Sequence, residues 1–281
     1  MHHKVAIEPK AAMSHSMRIC DVSRIGKMVA LVGWIIGMMS RMATAQQSQT
    51  APDYNATILY QIAEMPSGGD YMAGGTAMTK LQNAVSADGT KLTVNAQVAM
   101  PSFCSSATYL VFLKAVGTLQ DQGVLRLNEE VIQSLARIAD QPDGRGVWGR
   151  WNANGPGTAR LFRELGLGSN FTDYAKARPG DFMKIFWSDE VGKLERGHSV
   201  IFLDEEKQGG VDSVRFWSSN LHVGYSQKVV PKSKIARVIF SRLEHPERLA
   251  KVTSLPRTDG YLAGLLDQRS DWNEVRGKCG F

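Results

Sequence analysis

Apolar residues fall on every side of a helical wheel in Cys104-Ser-Ser-Ala-Thr-Tyr-Leu-Val-Phe-Leu-Lys-Ala-Val116, a pattern that predicts a buried helix stopping at Gly117. A second helix is predicted over 128–140, where Leu127, Val131, Leu135 and Ile138 recur at helical spacing around an Asn128 cap. The Gly- and Asn-rich stretch 141–155 reads as a loop, and Pro156 starts a short amphipathic helix that stops at Gly166. The period then changes from helical to alternating. Segments 181–187, 198–203, 213–218 and 236–240 read as strands, the second and third joined as a hairpin by Gly209-Gly210. Helices ahead of a run of antiparallel strands predict an α+β domain.

The amino-terminal pattern is of another kind. Scattered Lys and Arg precede the apolar run Met28-Val-Ala-Leu-Val-Gly-Trp-Ile-Ile-Gly-Met-Met39, and Ala43-Thr-Ala45 follows it. This reads as a signal peptide over 1–45, its run well short of the roughly 20 residues that span a bilayer. The expected product is exported to the periplasm, the cell envelope or the extracellular space, without stable membrane insertion once the leader is cleaved. A flexible arm over 46–54 and a single domain over 55–281 complete the predicted organisation.

Removing the leader changes the reading of charge. Six Lys/Arg against two Asp/Glu in residues 1–45 account for +4 of the formal net charge of +6, leaving +2. No dense basic cluster remains except 228–237, read as a solvated strand edge or turn around Pro231, so no nucleic-acid partner is expected. No His-Glu-x-x-His or paired-cysteine spacing occurs, and no metal or other cofactor is expected. The glycine-dense run 66–75 lacks the Lys-Ser/Thr of a phosphate-binding loop and reads as a flexible loop near a cleft. Trp148 and Trp151 read as pinning their loop to the core, with stacking on a sugar or peptide as the alternative.

The candidate chemistry centres on Cys104. A thiol at a helix amino terminus sits in the positive end of the macrodipole, where such groups carry pKa values of about 3.5–7.5 against about 8.5 for free cysteine. Gly197-His198 opens the hydrophobic strand Ser199-Val-Ile-Phe-Leu203, which makes His198 the candidate base ahead of His222 and His245. Cys20 leaves with the leader, so a Cys104–Cys279 disulfide is the alternative state, with a non-catalytic envelope role. Cys279 lies in Gly-Lys-Cys-Gly-Phe at the very end, a segment expected to fray.

Three segments in order resemble the NlpC/p-sixty type of papain-like cell-wall cysteine peptidases, and the related CHAP amidases. Phe103-Cys-Ser-Ser-Ala-Thr-Tyr-Leu-Val-Phe-Leu113 resembles the family's nucleophile helix. Arg178-Pro-Gly-Asp-Phe-Met-Lys-Ile-Phe-Trp187 resembles its Pro-Gly-Asp strand, and Gly197-His-Ser-Val-Ile-Phe-Leu203 its Gly-His strand. The resemblance spans 104–220 and leaves 46–95 and 241–281 outside. The family has Asp before the cysteine and Gly two after it, where this chain has Phe103 and Ser106.

The resemblance implies a papain-like domain with the nucleophile helix packed on an antiparallel sheet, and a cysteine hydrolase that cleaves amide bonds in peptidoglycan stem peptides. Acyl or amide transfer on the same scaffold is the alternative chemistry. It also implies a third catalytic group on the strand after the histidine. Asn220 is the first candidate, ahead of Ser218 and His222, as in Cys-His-Asn variants of the triad. The Cys104 N–H is the expected oxyanion donor, with a second donor unidentified.

Overall fold

The computed structural model describes residues 53–281; the predicted leader and residues 46–52 of the arm lie outside the described residues. The arm ends earlier than expected. Asp53 caps the first helix by accepting from Asn55 N (3.1 Å), and Tyr54 is buried.

In chain order the elements begin with helix α1 (Tyr54–Ala63), the short strand β1 (Gly68–Gly69), helix α2 (Gly75–Asn83) and the hairpin β2 (Val85–Asp88) with β3 (Lys91–Val94). Four helices follow: α3 (Cys104–Asp121), α4 (Glu129–Ala136), α5 (Gly146–Asn152) and α6 (Gly157–Leu165). Then come β4 (Gly168–Phe171), β5 (Phe182–Phe186), β6 (Gly197–Gln208), β7 (Val211–Asn220), β8 (Gly224–Pro231) and β9 (Arg237–Leu243), with α7 (Gly260–Gly264) and α8 (Trp272–Cys279) last. Seven strands form one sheet in the order β1-β8-β7-β6-β5-β9-β4, every neighbouring pair antiparallel. The architecture is α+β.

Helix α3 is the central element. Its side chains from Ser105 to Leu113 are all buried, as an all-round apolar pattern requires, and it packs against α1, α5, β6 and β7. Full burial of its Leu, Val and Phe side chains stabilises the fold by about 1.5–3 kcal/mol each. The buried hydroxyl of Tyr109 is satisfied, since Tyr109 Oη donates to Leu135 O (2.7 Å). The core around α3 includes Phe182, Ile201, Trp217 and Tyr225, whereas Met183, Val200, Phe202, Val214, Phe216 and Phe240 form a second cluster. Period-two alternation along β5 and β6 sorts these side chains into the two clusters.

The structure corrects several sequence-based boundaries. Helix α3 continues past Gly117 to Asp121, packing against the β2–β3 hairpin. Asn128 caps α4 as predicted, accepting from Val131 N (2.9 Å), but the helix ends at Ala136 rather than 140. The expected loop 141–155 contains α5, whose Trp148 and Trp151 are buried, matching the core-pinning reading of both. Helix α6 ends as predicted, with Gly166 at φ 68°, the left-handed conformation that closes helices. Strands β6 and β7 outrun their apolar segments, and β1, β4, β8 and the β2–β3 hairpin were not predicted.

The carboxyl terminus is also unlike the expected frayed tail. Cys279 is buried in α8 among Phe186, Ile239 and Val275. Among the described residues no helix is long and apolar enough to cross a membrane.

Candidate active site

Cys104 is the first residue of α3, half-buried, where helix geometry leaves the leading N–H groups without partners inside the helix. The segment before it is pinned on both sides. Ser219 Oγ on β7 donates to Ser102 O (2.9 Å), and Ser102 Oγ donates to Ser106 Oγ (3.0 Å). Phe103 turns into the core against Trp148, ring centroids 6.1 Å apart. The two positions at which the chain departs from the resembling pattern therefore serve packing and anchoring at the helix start.

His198 stands near the start of β6, opposite Ile185 of β5, with its ring stacked on Trp187 and edge-on to Phe216. Its Nε2 lies 3.2 Å from Oδ1 of Asn220, the buried last residue of β7. The orientation of the Asn220 amide follows from its other partners. Its Nδ2 faces Ser226 O (2.9 Å), Ser226 Oγ (3.1 Å) and Ser218 O (3.3 Å), and the two carbonyl oxygens can only accept. Oδ1 must then accept from Nε2–H of His198. That places the ring proton on Nε2 and leaves Nδ1 as the free lone pair to accept the thiol proton.

The thiol is an acid of unusual strength. Burial would push Cys104 up, but the His198 hydrogen bond and charge, the Ser199 N–H and the charge of Lys184 together bring it down to about 6. A group at that value is mostly anionic at neutral pH.

Sequence reasoning missed several residues that the fold brings to the same place. Tyr71 lies beside Cys104, and burial together with the sulfur's charge pushes the acidity of its hydroxyl further out of reach. It arrives there because the Gly-rich run crosses tightly over Met100: a Cβ at Gly69, φ 86°, would lie 2.2 Å from Met100 Cε. A bridge between Tyr71 and Ser102 then fixes the segment beside Cys104.

Lys184, at the centre of β5, holds Glu195 Oε1 at 2.7 Å, and Glu195 Oε2 accepts from Gly155 N (2.6 Å) and Gly192 N (3.0 Å). Ser105 Oγ donates to Asn152 Oδ1 (2.6 Å), and nearby Asp143 accepts from Asn154 N (2.9 Å), its carboxyl pushed up by burial against the pull of that N–H and of Lys184. A charged residue inside the otherwise apolar Phe182-Met-Lys-Ile-Phe186 was the available signal for Lys184, because a buried charge requires a partner. Tyr71 carried no comparable signal.

The remaining candidates sit elsewhere or do other work. Ser218 Oγ donates to Ser199 O (2.7 Å), bracing β6 against β7, and His222 occupies an exposed turn at φ 66°. The alternative Cys104–Cys279 disulfide is not formed: both thiols are free, and Cys279 belongs to the cluster around α8, where burial pushes it up to about 12. Among the described residues no three His, Cys, Asp or Glu side chains gather to hold a metal ion.

The arrangement supplies an anionic sulfur, a base with a defined lone pair, an amide that orients the base, and two donors beside the sulfur. The chain matches no protein-family model, no curated protein and no solved structure.

Proposed function

We propose that the chain is an exported cysteine hydrolase with a papain-like, NlpC/p-sixty-type site that cleaves amide bonds in peptidoglycan stem peptides. The observation that carries the reading is the ordered series Cys104, His198, Asn220, with the His198 tautomer set by the partners of the Asn220 amide. The cell-wall substrate follows from the three motifs in order and from the leader.

In this reading Nδ1 of His198 takes the Cys104 proton and Sγ attacks the scissile carbonyl carbon, forming the S–C bond of a tetrahedral oxyanion. In this reading the Cys104 N–H and the Tyr71 hydroxyl donate to that oxyanion. His198 returns its proton to the departing amine as the C–N bond breaks. Water, deprotonated by the same Nδ1, then attacks the thioester, and the products are a carboxylate and the free thiol. Asn220 stabilises the imidazolium and keeps the ring in plane throughout. Lys184, held in place by Glu195, supports the thiolate through its charge.

The test is chemical release from purified sacculi. The protein should liberate new amino groups and shortened stem peptides, and Cys104→Ser should lose that release. Intact sacculi alongside cleavage of a different amide or ester by the same thiol would overturn the substrate assignment.

A further inference from the structure

A cavity of about 540 Å³ opens between the end of α4, the turn before α5 and segment 252–257. That volume is typical of small-molecule sites, which run from about 300 to 1,000 Å³. Its lining carries Arg137, Arg145, Arg150 and Arg257 and a single carboxylate, Asp140. None of these residues belongs to the Cys104 site.

Arg150 is the buried floor and is already neutralised. Its Nε bonds Glu164 Oε2 (2.8 Å), and its two terminal nitrogens donate to Gly146 O (2.9 Å) and Pro256 O (2.7 Å). The other three guanidinium groups differ: among the described residues, Arg137, Arg145 and Arg257 have neither an ion pair nor a side-chain hydrogen bond. They come from three separate segments, and backbone bonds hold two of them together. Gly146 N donates to Arg257 O (3.2 Å), and Arg145 bridges Thr258. Gln141 Oε1 accepts from Trp148 N (2.9 Å), which leaves its amide NH₂ as a further donor at the wall.

Three like charges converging on one concavity repel one another unless an anion joins them. Guanidinium forks match phosphoryl oxygens in charge and geometry. We propose that this cavity binds an anion carrying more than one phosphoryl group, held by Arg137, Arg145 and Arg257. Against Asp140 these arginines leave a formal excess of two positive charges, which a linked pair of phosphoryl groups matches better than a single carboxylate. The cavity volume leaves room for such a chain.

The probe is sodium tripolyphosphate, titrated calorimetrically into the purified protein at low salt, with inorganic phosphate and citrate in parallel. One saturable site is expected, tightest for tripolyphosphate. The Arg145→Gln/Arg257→Gln pair should weaken binding by about 10-fold or more, since two charge-assisted contacts to the anion are lost from at least partly exposed side chains. Raising salt should also weaken it. Thiol reactivity at Cys104 serves as the check that the variant is folded, and Arg257→Gln alone, at an exposed side chain, replaces the pair if it is not. Absence of saturable binding, or equal binding by folded variant and wild type, would overturn the proposal. Citrate binding as tightly as tripolyphosphate would overturn the phosphoryl assignment.

Discussion

Lowering a thiol's pKa has two opposed effects on its reactivity, and together they predict a crossing pH profile for Cys104. With the group at about 6, roughly half is thiolate at pH 6, against about 0.3 % for a free cysteine at about 8.5. That is an advantage of about 150-fold. Each anion is, however, a weaker nucleophile: a Brønsted slope of about 0.4–0.5 over about 2.5 pKa units costs about 13-fold. Native Cys104 should therefore react with 4,4′-dithiodipyridine about 10-fold faster than a cysteine in an unstructured, end-blocked peptide at pH 6 and several-fold slower above pH 8.5. The curves should cross near pH 7.4, on the same arithmetic.

The stopped-flow absorbance of released thiopyridone measures both rates. Cys279, buried and pushed up to about 12, should stay silent, so in protein freed of residues 1–45 the fast phase should correspond to one thiol per chain. His198→Ala removes the leading cause that lowers the thiol, and its profile should move upward in pH. A wild-type inflection at or above 8.5, or an unchanged profile in His198→Ala, would refute the reasoning.

Three further outcomes follow. On an amide substrate, His198→Ala should lose about 10²–10⁴-fold in kcat, while Asn220→Ala should lose less because the amide orients the ring rather than moving a proton; steady-state kinetics of the two variants make the comparison. Tyr71→Phe should lower kcat by about 10²-fold with little change in KM if its hydroxyl donates to the oxyanion, and an unchanged kcat would remove it from that role. Trp151→Ala should destabilise the fold by about 3–5 kcal/mol in urea denaturation, since its buried ring stacks on Phe112 at 4.9 Å and its Nε1 donates to Thr108 Oγ1 (3.2 Å).

Local pattern made some of this molecule legible and long-range pairing hid the rest. The Cys104 helix could be read because Cys104–Val116 is apolar all round, and the Asn128 cap and Gly166 stop because each acts within one turn. The strands were found where alternation is hydrophobic and lost where it turns polar. The β6–β7 ladder continues through Asp204, Glu206 and Lys207, held by cross-strand pairs such as Asp204 with Arg215 and Lys207 with Asp212, which only the register reveals. Helix α5 was hidden by its Gly and Asn residues, and its burial of two tryptophans against α3 overrides their weak propensity.

The site divides in the same way. Cys104, His198 and Asn220 each stand at the end of a recognisable element, so their order along the chain was informative. Tyr71 reaches Cys104 only because Gly68-Gly69 pairs with β8 and Tyr71 with Ser102, contacts that no local pattern encodes. Glu195, Asn152 and Asp143 lie in turns and helix ends whose convergence depends on the whole fold.

The most direct test of the central claim is digestion of purified sacculi, followed by mass spectrometry of the soluble products and assay of new amino groups, with wild type and Cys104→Ser side by side. The account predicts stem-peptide fragments with new amino termini from the wild type and none above background from Cys104→Ser, because a serine hydroxyl lacks the acidity that His198, Ser199 and Lys184 confer on the thiol here. Equal release by the two proteins, or no release by wild type whose Cys104 shows the low-pH reactivity described above, would contradict it.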